Sequence, residues 1–259
     1  MGGRGATSSS GKMGAMGGAG IQAQATQQVQ VDDTQVASAF SASYDQFMAM
    51  TDDEKADFIS ANVKQGVPAH LAQNDFQRFV YNSGLNEKPT VVDDATLDTM
   101  NGTEIFRTVN SVYDGKNDIS YSADQIARQV TAGRVTRVSD NGGSVYGRGI
   151  YFADDYGSST SYGSSSGSVK KTAVMRGKLN SNAKVVDYYT ASKGVSKEIA
   201  SGSKLGKVLS KCDSDSRVSL YAMSKGYNVI SSGHGYLNVL NRNAITMSSD
   251  IKAKGSKWK

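Results

Sequence analysis

The sequence predicts an α+β protein in which an N-terminal helical region precedes two packed, mostly antiparallel sheets. Between residues 34 and 81 the apolar positions recur at helical intervals, whereas beyond about residue 90 short β-type segments are separated by Gly, Asn, Asp and Ser. The β-type segments do not alternate regularly with helices, which argues against a doubly wound parallel sheet. We therefore expect an arm at 1–33, a helical region at 34–89, a sheet domain at 90–250 and a basic tail at 251–259.

The N-terminal arm is rich in Gly, Ser and Gln. Residues 1–30 contain no aromatic residue, so they cannot bury enough apolar surface to offset the entropy lost on ordering. We expect the arm to be disordered in isolation. In the helical region, Thr-Asp-Asp-Glu at 51–54 is typical of a capping box before a helix, and we expect this region to serve packing.

The sheet domain contains one predicted helix and six predicted strands. The helix is 122–131, with Ser122 as its N-cap. The strands are expected at 105–109, 149–153, 171–179, 185–189, 227–230 and 237–240. The Ser-, Gly- and Lys-rich segment 193–211 is interpreted as a surface helix with loops.

Residues 147–163 form the segment that looks built around a ligand. Two glycines bracket an arginine, a short β-type run containing Tyr151 follows, and Ser159 and Tyr162 lie three positions apart. Because i and i+3 share a face of a helical turn, the Ser159 hydroxyl and the Tyr162 ring should point into the same space. Tyr151 would close the other side, an arrangement that suits a planar aromatic amide. A solvated loop after an edge strand is the alternative interpretation.

This segment resembles the motif Gly-x-Gly-x-Tyr-Phe-Ala, followed by Ser-x-x-Tyr, of ADP-ribosyltransferases of the diphtheria-toxin and poly(ADP-ribose) polymerase type, which cleave NAD at its nicotinamide bond. The resemblance implies that Tyr151 and Tyr162 sandwich nicotinamide, that Ser159 meets its carboxamide, and that Gly149 belongs to the NAD-binding motif. The Gly-x-Gly is not the Rossmann fingerprint, which needs a third glycine between a strand and a helix.

A second match lies upstream, on an apolar strand that carries Arg107. It resembles the family strand that ends in His-Gly or Arg-Gly, so Arg107 would hold the NAD phosphates and ribose, for which a guanidinium fork is suited. Thr108 stands where the family has glycine, and its backbone groups would still grip the nicotinamide amide. A strand residue that points to solvent is the alternative interpretation of Arg107.

A third match is the segment from residue 235 to residue 245, which resembles the family strand Glu-Tyr-x-Val-x-Asn. Tyr236 occupies the glutamate position. In the family the glutamate stabilises an oxocarbenium-like transition state with a fixed negative charge, whereas a tyrosine supplies a hydrogen bond without the charge. Asn238 would share the face of Tyr236 and act as an auxiliary hydrogen-bond donor.

Two carboxylates are candidate replacements for the missing glutamate, and spacing favours neither. Glu104 should face away from Arg107 because the two are three positions apart on a strand. Glu198 is more simply a solvated residue on a lysine-flanked helix.

The resemblance implies an NAD-dependent mono-ADP-ribosyltransferase, with Arg107, Tyr151 and Tyr236 as catalytic residues, NAD as substrate and a host protein or nucleic acid as acceptor. The alternative is a catalytically weak or inactive NAD-binding protein, or a phage structural protein, that keeps the fold. A third interpretation is a nucleic-acid-binding protein that uses its basic tail and tyrosines. By analogy with toxins of this class, 193–211 is a candidate for target recognition.

A second resemblance concerns the opening Met-Gly-Gly-Arg-Gly and residues 75–89, which are similar to segments of bacteriophage proteins that carry a transferase-like domain beside head components. It implies a phage-encoded effector that acts in the bacterial cytoplasm, with virion components as further partners.

Composition argues against several other classes of protein. A single cysteine, Cys212, rules out an internal disulfide and fits a reducing compartment. With His70 and His234 as the only histidines, we expect no zinc site. No apolar run approaches the ~20 residues of a membrane span, and no signal pattern opens the chain, so we expect a soluble cytoplasmic protein without membrane contact. The net charge of +5 is mild, and the lysines of the basic tail are interpreted as a solvated end.

Overall fold

The computed structural model describes residues 41–68, 71, 74–85, 87–113, 119–133, 145–163, 167–256 and 258. All of them belong to one compact unit that begins at Gln35. The arm at 1–33, for which disorder is expected, and His70, one of the two histidines considered for a zinc site, lie outside the described residues. The boundary expected at residue 89 stays a prediction.

The prediction of an α+β fold is confirmed. Nine α-helices lie in the described part of the chain: α1 Tyr44–Ala49, α2 Asp52–Lys64, α3 Asp75–Ser83, α4 Asp94–Thr99, α5 Ala123–Thr131, α6 Tyr156–Ser161, α7 Tyr188–Ala200, α8 Lys204–Leu209 and α9 Ser214–Ser224. Ten strands accompany them: β1 Thr90–Val92, β2 Glu104–Asn110, β3 Val112–Tyr113, β4 Ile119–Tyr121, β5 Ile150–Ala153, β6 Thr172–Leu179, β7 Val185–Asp187, β8 Val229–Ser231, β9 Tyr236–Val239 and β10 Ile245–Ala253.

Eight of the strands form one mixed sheet in the order β1-β10-β6-β2-β5-β9-β8-β7, and β3 pairs with β4 in a separate ribbon. The two outermost pairs of the large sheet are parallel and the inner pairs are antiparallel. The prediction of two packed sheets is therefore not confirmed, because these eight strands lie side by side in one continuous sheet, with a junction between β2 and β5. The junction is narrow, because β2 and β5 share the single register pair Phe106 and Ala153, whereas β2 and β6 pair along their whole length. The sheet thus consists of two four-stranded halves that meet between β2 and β5.

Local capping patterns account for several helix starts. The box predicted at 51–54 is present, since Thr51 Oγ1 accepts from the Glu54 N–H and the Glu54 carboxylate accepts from the Thr51 N–H. Ser122 and Gln125 form the same arrangement at the start of α5. The strand expected at 185–189 ends at Asp187, because the Asp187 carboxylate accepts from the Thr190 N–H and caps α7.

Two apolar clusters stabilise the unit. One joins α1–α3 to α7–α9, and at its centre the rings of Phe47, Phe58 and Phe79 lie with centroids 5.6–6.1 Å apart. The other packs α5 against the sheet through Ile126 and Val130. The expected helical region therefore packs on later helices, as predicted for a packing role.

The C-terminal part of the chain departs from its predicted form. The segment expected as one strand at 235–245 is β9, a 3-10 turn at Arg242–Ala244 and the first residue of β10. Strand β10 continues to Ala253 between β1 and β6, so the first residues of the expected basic tail belong to the sheet.

None of the helices in the described ranges combines the length and the apolar character needed to cross a membrane.

Candidate functional site

A cleft of about 540 Å³ opens where the two halves of the sheet meet. Its lining residues come from β2, the residue after it, the start of β3, α5, the loop before β5, β5, α6 with its C-cap, and β9: Phe106, Arg107, Thr108, Val109, Asn110, Ser111, Val112, Ile126, Val145, Tyr146, Tyr151, Phe152, Ala153, Ser159, Tyr162 and Tyr236. Six of the eight predicted site residues are in this set: Arg107, Thr108, Tyr151, Ser159, Tyr162 and Tyr236. The three sequence motifs therefore converge on one cleft.

The other two predicted site residues, Gly149 and Asn238, do not line the cleft and instead support its wall. A Cβ on Gly149 would lie 2.0 Å from Asn238 Oδ1 and 2.8 Å from the Val239 carbonyl oxygen, so glycine allows β5 to approach β9. Asn238 is buried, and its Nδ2 donates to the Tyr146 carbonyl at 3.0 Å. Both residues hold the loop before β5 in place.

Tyr151 is fixed by its hydroxyl group. The hydroxyl donates to the Gly147 carbonyl at 2.6 Å and accepts from the Tyr146 N–H at 2.9 Å. Burial, the largest effect, raises the pKa of Tyr151 far above its ordinary value, so the phenol stays protonated at physiological pH. The ring of Tyr146 lies beside it, with centroids 6.4 Å apart. These two rings form one wall of the cleft.

Tyr162 and Tyr236 form a second aromatic pair. Their ring centroids are 6.0 Å apart and the planes are nearly perpendicular. The side-chain hydrogen bond with Tyr236 is the largest cause of a raised Tyr162 pKa, and Tyr146 adds a smaller contribution. Tyr162 is 63% exposed, so its ring remains accessible to a ligand.

Ser159 and Thr108 join α6 to β2 through their hydroxyl groups, whose oxygens are 2.9 Å apart. Ser159 is buried, whereas Thr108 is half-buried. Two hydroxyls carry two protons, of which the mutual bond uses one. The second proton can be donated to an acceptor in the cleft.

Arg107 supplies the charge of the site. Its side chain is 6% exposed, and Nη1 donates to the Tyr151 carbonyl at 2.9 Å across the junction of the two sheet halves. It is the only charged residue among the lining residues that the structure describes. The charge of the described lining is therefore positive, which would attract an anionic group.

Neither candidate carboxylate lines the cleft. Glu104 lies on the opposite face of β2 from Arg107, as predicted, and accepts from Arg176 Nε at 3.1 Å. Glu198 accepts from Ser203 Oγ at 2.6 Å and lies 3.5 Å from Lys225 Nζ. Both carboxylates have structural partners, and no Asp or Glu is among the described residues of the lining.

Sequence reasoning missed three polar residues of the lining, Asn110, Ser111 and Tyr146. Asn110 Nδ2 donates to the Tyr162 carbonyl at 2.9 Å and so ties β2 to the end of α6. Its position two residues after Thr108, on the same face of the strand, was the available signal. Tyr146 gave no sequence signal, because its place beside Tyr151 depends on the path of the loop.

Metal ligands are not clustered in the described ranges, where no group of three His, Cys, Asp or Glu side chains could hold an ion. Comparisons with protein-family models, with curated proteins and with solved structures found no match to this chain.

Proposed function

We propose that the protein binds NAD in this cleft and acts as a mono-ADP-ribosyltransferase of the diphtheria-toxin and poly(ADP-ribose) polymerase type. The observation that supports it most is the convergence of six residues from three motifs on one cleft. These motifs lie on β2, on β5 with α6, and on β9, which are separated by long stretches of chain. The cleft volume is within the usual range for small-molecule sites.

The arrangement of the sheet is compatible with this family. Its two four-stranded halves would correspond to the two packed sheets that the resemblance implies, with the NAD site at the junction between β2 and β5.

Three parts of the substrate, namely the pyrophosphate, the nicotinamide ring and its carboxamide, would each have a chemical counterpart in the cleft. Arg107 would bind the pyrophosphate, the part of NAD with the highest negative charge. Tyr151 and Tyr162, on two walls, would hold the nicotinamide ring. The Ser159 and Thr108 hydroxyl pair would donate its remaining proton to the carboxamide oxygen.

The reaction breaks the bond between the ribose C1′ and the nicotinamide nitrogen. The electron pair of that bond leaves with the nitrogen, which becomes neutral, and a nucleophile of the acceptor bonds to C1′ and releases its proton. Tyr236 would contact the ribose without a negative charge, so the oxocarbenium-like transition state is stabilised less than by a glutamate. We therefore expect slow turnover.

A second candidate function is NAD binding without cleavage. The absence of Asp and Glu from the described lining favours it, because cleavage without a nearby carboxylate lacks that electrostatic stabilisation.

Two measurements separate these functions: NAD binding by calorimetry, and nicotinamide release with labelled NAD in bacterial lysate. The lysate supplies protein and nucleic-acid acceptors, and isolated phage particles added to it would supply virion components. If the protein is an enzyme, acceptors become labelled and nicotinamide is released. Both signals should be abolished by Tyr151→Ala and unchanged by Tyr121→Ala, a control at an exposed tyrosine of β4. Binding without release supports the second candidate.

Tyr236→Glu tests the role of the missing charge directly. If charge limits the reaction, this variant should raise nicotinamide release at least about tenfold, since electrostatic groups of this kind contribute 10²–10³ in rate. Absence of NAD binding by the wild-type protein would reject both functions.

A further inference from the structure

A series of tyrosine rings leads from the cleft wall to the protein surface. The ring centroids are 6.4 Å apart between Tyr151 and Tyr146, 5.4 Å between Tyr146 and Tyr188, and 5.7 Å between Tyr188 and Tyr189. All three distances are typical of aromatic contacts. The first two rings line the cleft, Tyr188 is half-buried and Tyr189 is 60% exposed. We call these four residues the tyrosine ladder.

Packing explains the inner members of the ladder but not the outer one. Tyr151 is held by its hydroxyl, and Tyr188 packs against the helical core cluster. Tyr189 keeps most of its ring in solvent at the start of α7. A single exposed aromatic residue is ordinary. Tyr189 differs because its ring continues a contact series that begins in the candidate site.

The exposed face of α7 beyond Tyr189 is basic. Lys193 and Lys197 follow at i+4 and i+8, so they share its face of the helix, and both are exposed. Neither forms an ion pair with a residue in the described ranges, whereas Glu198 of the same helix is bound to Ser203 and Lys225. The face therefore combines a flat ring with two ammonium groups that are available to a ligand.

We propose that the tyrosine ladder and the Lys193 and Lys197 face of α7 form a docking surface for single-stranded nucleic acid. One base stacks on Tyr189 and the phosphates follow the two lysines, which is the usual combination for binding an unpaired strand. An acidic peptide would use the lysines and leave the exposed ring without a partner. A duplex would hide the base faces that the ring needs.

The ladder also joins this surface to the cleft, which identifies the acceptor. In this respect the inference rests on the proposed function: a nucleotide next to the stacked base is the acceptor of ADP-ribose. A nitrogen or oxygen of that nucleotide bonds to the ribose C1′ and loses a proton to solvent. The C1′ bond to nicotinamide breaks, and its electron pair leaves with the nicotinamide nitrogen.

Fluorescence anisotropy with a labelled oligothymidine of about 12 nucleotides, within the site sizes of compact single-strand-binding domains, tests the surface. Tyr189→Ala should weaken binding at least about fivefold, the lower end for loss of one stacked base, and Tyr189→Phe should retain it. Replacing both Lys193 and Lys197 with Gln should reduce the slope of log affinity against log salt by about 1.4. Tyr121→Ala and Lys64→Gln are matched controls at exposed positions outside the surface.

The outcomes for the two proposals are distinct. Failure of the wild-type protein to bind oligothymidine at low salt, unchanged binding by Tyr189→Ala, or tighter binding of a DNA duplex or of polyglutamate would each overturn the docking surface. NAD affinity should be the same in Tyr189→Ala as in the wild type, because Tyr189 does not line the cleft. Tyr189-dependent oligothymidine binding without NAD binding would support the surface and reject the proposed function. NAD cleavage without oligothymidine binding would support the proposed function and reject the docking surface.

Discussion

Replacing Gly149 with Ala should strongly destabilise the cleft wall, because β5 approaches β9 too closely at this residue to admit a side chain. The added Cβ would lie 2.0 Å from Asn238 Oδ1 and 2.8 Å from the Val239 carbonyl, whereas ordinary contacts begin at 3.4 Å. Asn238 cannot turn away without losing its hydrogen bond to the Tyr146 carbonyl, and the Val239 oxygen belongs to the backbone. Overpacking costs about 1–3 kcal/mol and the lost hydrogen bond adds about 1 kcal/mol, so the free energy of unfolding should fall by about 3 kcal/mol.

Urea unfolding followed by circular dichroism measures this loss. The expected decrease corresponds to a Tm lower by about 6–12 °C for a unit of this size. Gly66→Ala is the matched control, since a Cβ at Gly66 meets no atom within 4 Å. NAD affinity of the folded Gly149→Ala protein should also fall, because Tyr151 and Tyr236 lie on the two strands that must separate. Equal stability of the two alanine variants would refute the reasoning.

Three further predictions concern individual side chains. Tyr151→Phe removes the hydroxyl that binds two backbone groups, so it should lower the free energy of unfolding by about 1–3 kcal/mol, measured by urea unfolding. The control Tyr162→Phe, at an exposed site, should lower the free energy of unfolding by less than about 0.5 kcal/mol. Burial favours a higher pKa for Asp213, but hydrogen bonds from the Asp75 N–H and from Ser216 outweigh it and lower the pKa. Asp213 therefore stabilises the fold above its unfolded pKa of 3.8, and this contribution is lost as the pH falls through the lower folded pKa. The difference in free energy of unfolding between wild type and Asp213→Asn should shrink from pH 5 to pH 2. A difference that stays constant over this range would contradict the lowered pKa. Burial, with smaller contributions from nearby carboxylates, raises the pKa of the Cys212 thiol to about 12. Iodoacetamide at pH 8 should therefore react at least about 100-fold more slowly with the native protein than with the urea-unfolded protein. Similar rates would contradict the burial of this thiol.

Much of the local structure could be read from the order of residues, because it depends on neighbours within a few positions. The capping boxes at Thr51 and Ser122 need only a hydroxyl and a Glu or Gln three residues later. The strand around Arg107 needs only its β-type composition, and the two-residue period places Glu104 and Arg107 on opposite faces. The six cleft residues were predicted from motif resemblance, and Tyr151, Ser159 and Tyr162 also from their spacing along the chain, but neither source fixes the positions of the three motifs relative to one another.

Long-range contacts decided the remaining features. Residues 251–253 were expected in a basic tail, but they belong to strand β10, which lies between β1 and β6, and this pairing involves residues far away in the chain. Glu104 and Glu198 are candidates for a catalytic role in the sequence, but in the structure they form ion pairs with Arg176 and Lys225, which are distant partners in the chain. The contact of Tyr146 with Tyr188 depends in the same way on how the loop before β5 crosses the start of α7. The amino-acid sequence alone determines side-chain chemistry and short-range geometry, because these depend on residues a few positions apart. The approach of distant segments depends on the packing of the whole unit, so it is decided only in the folded chain.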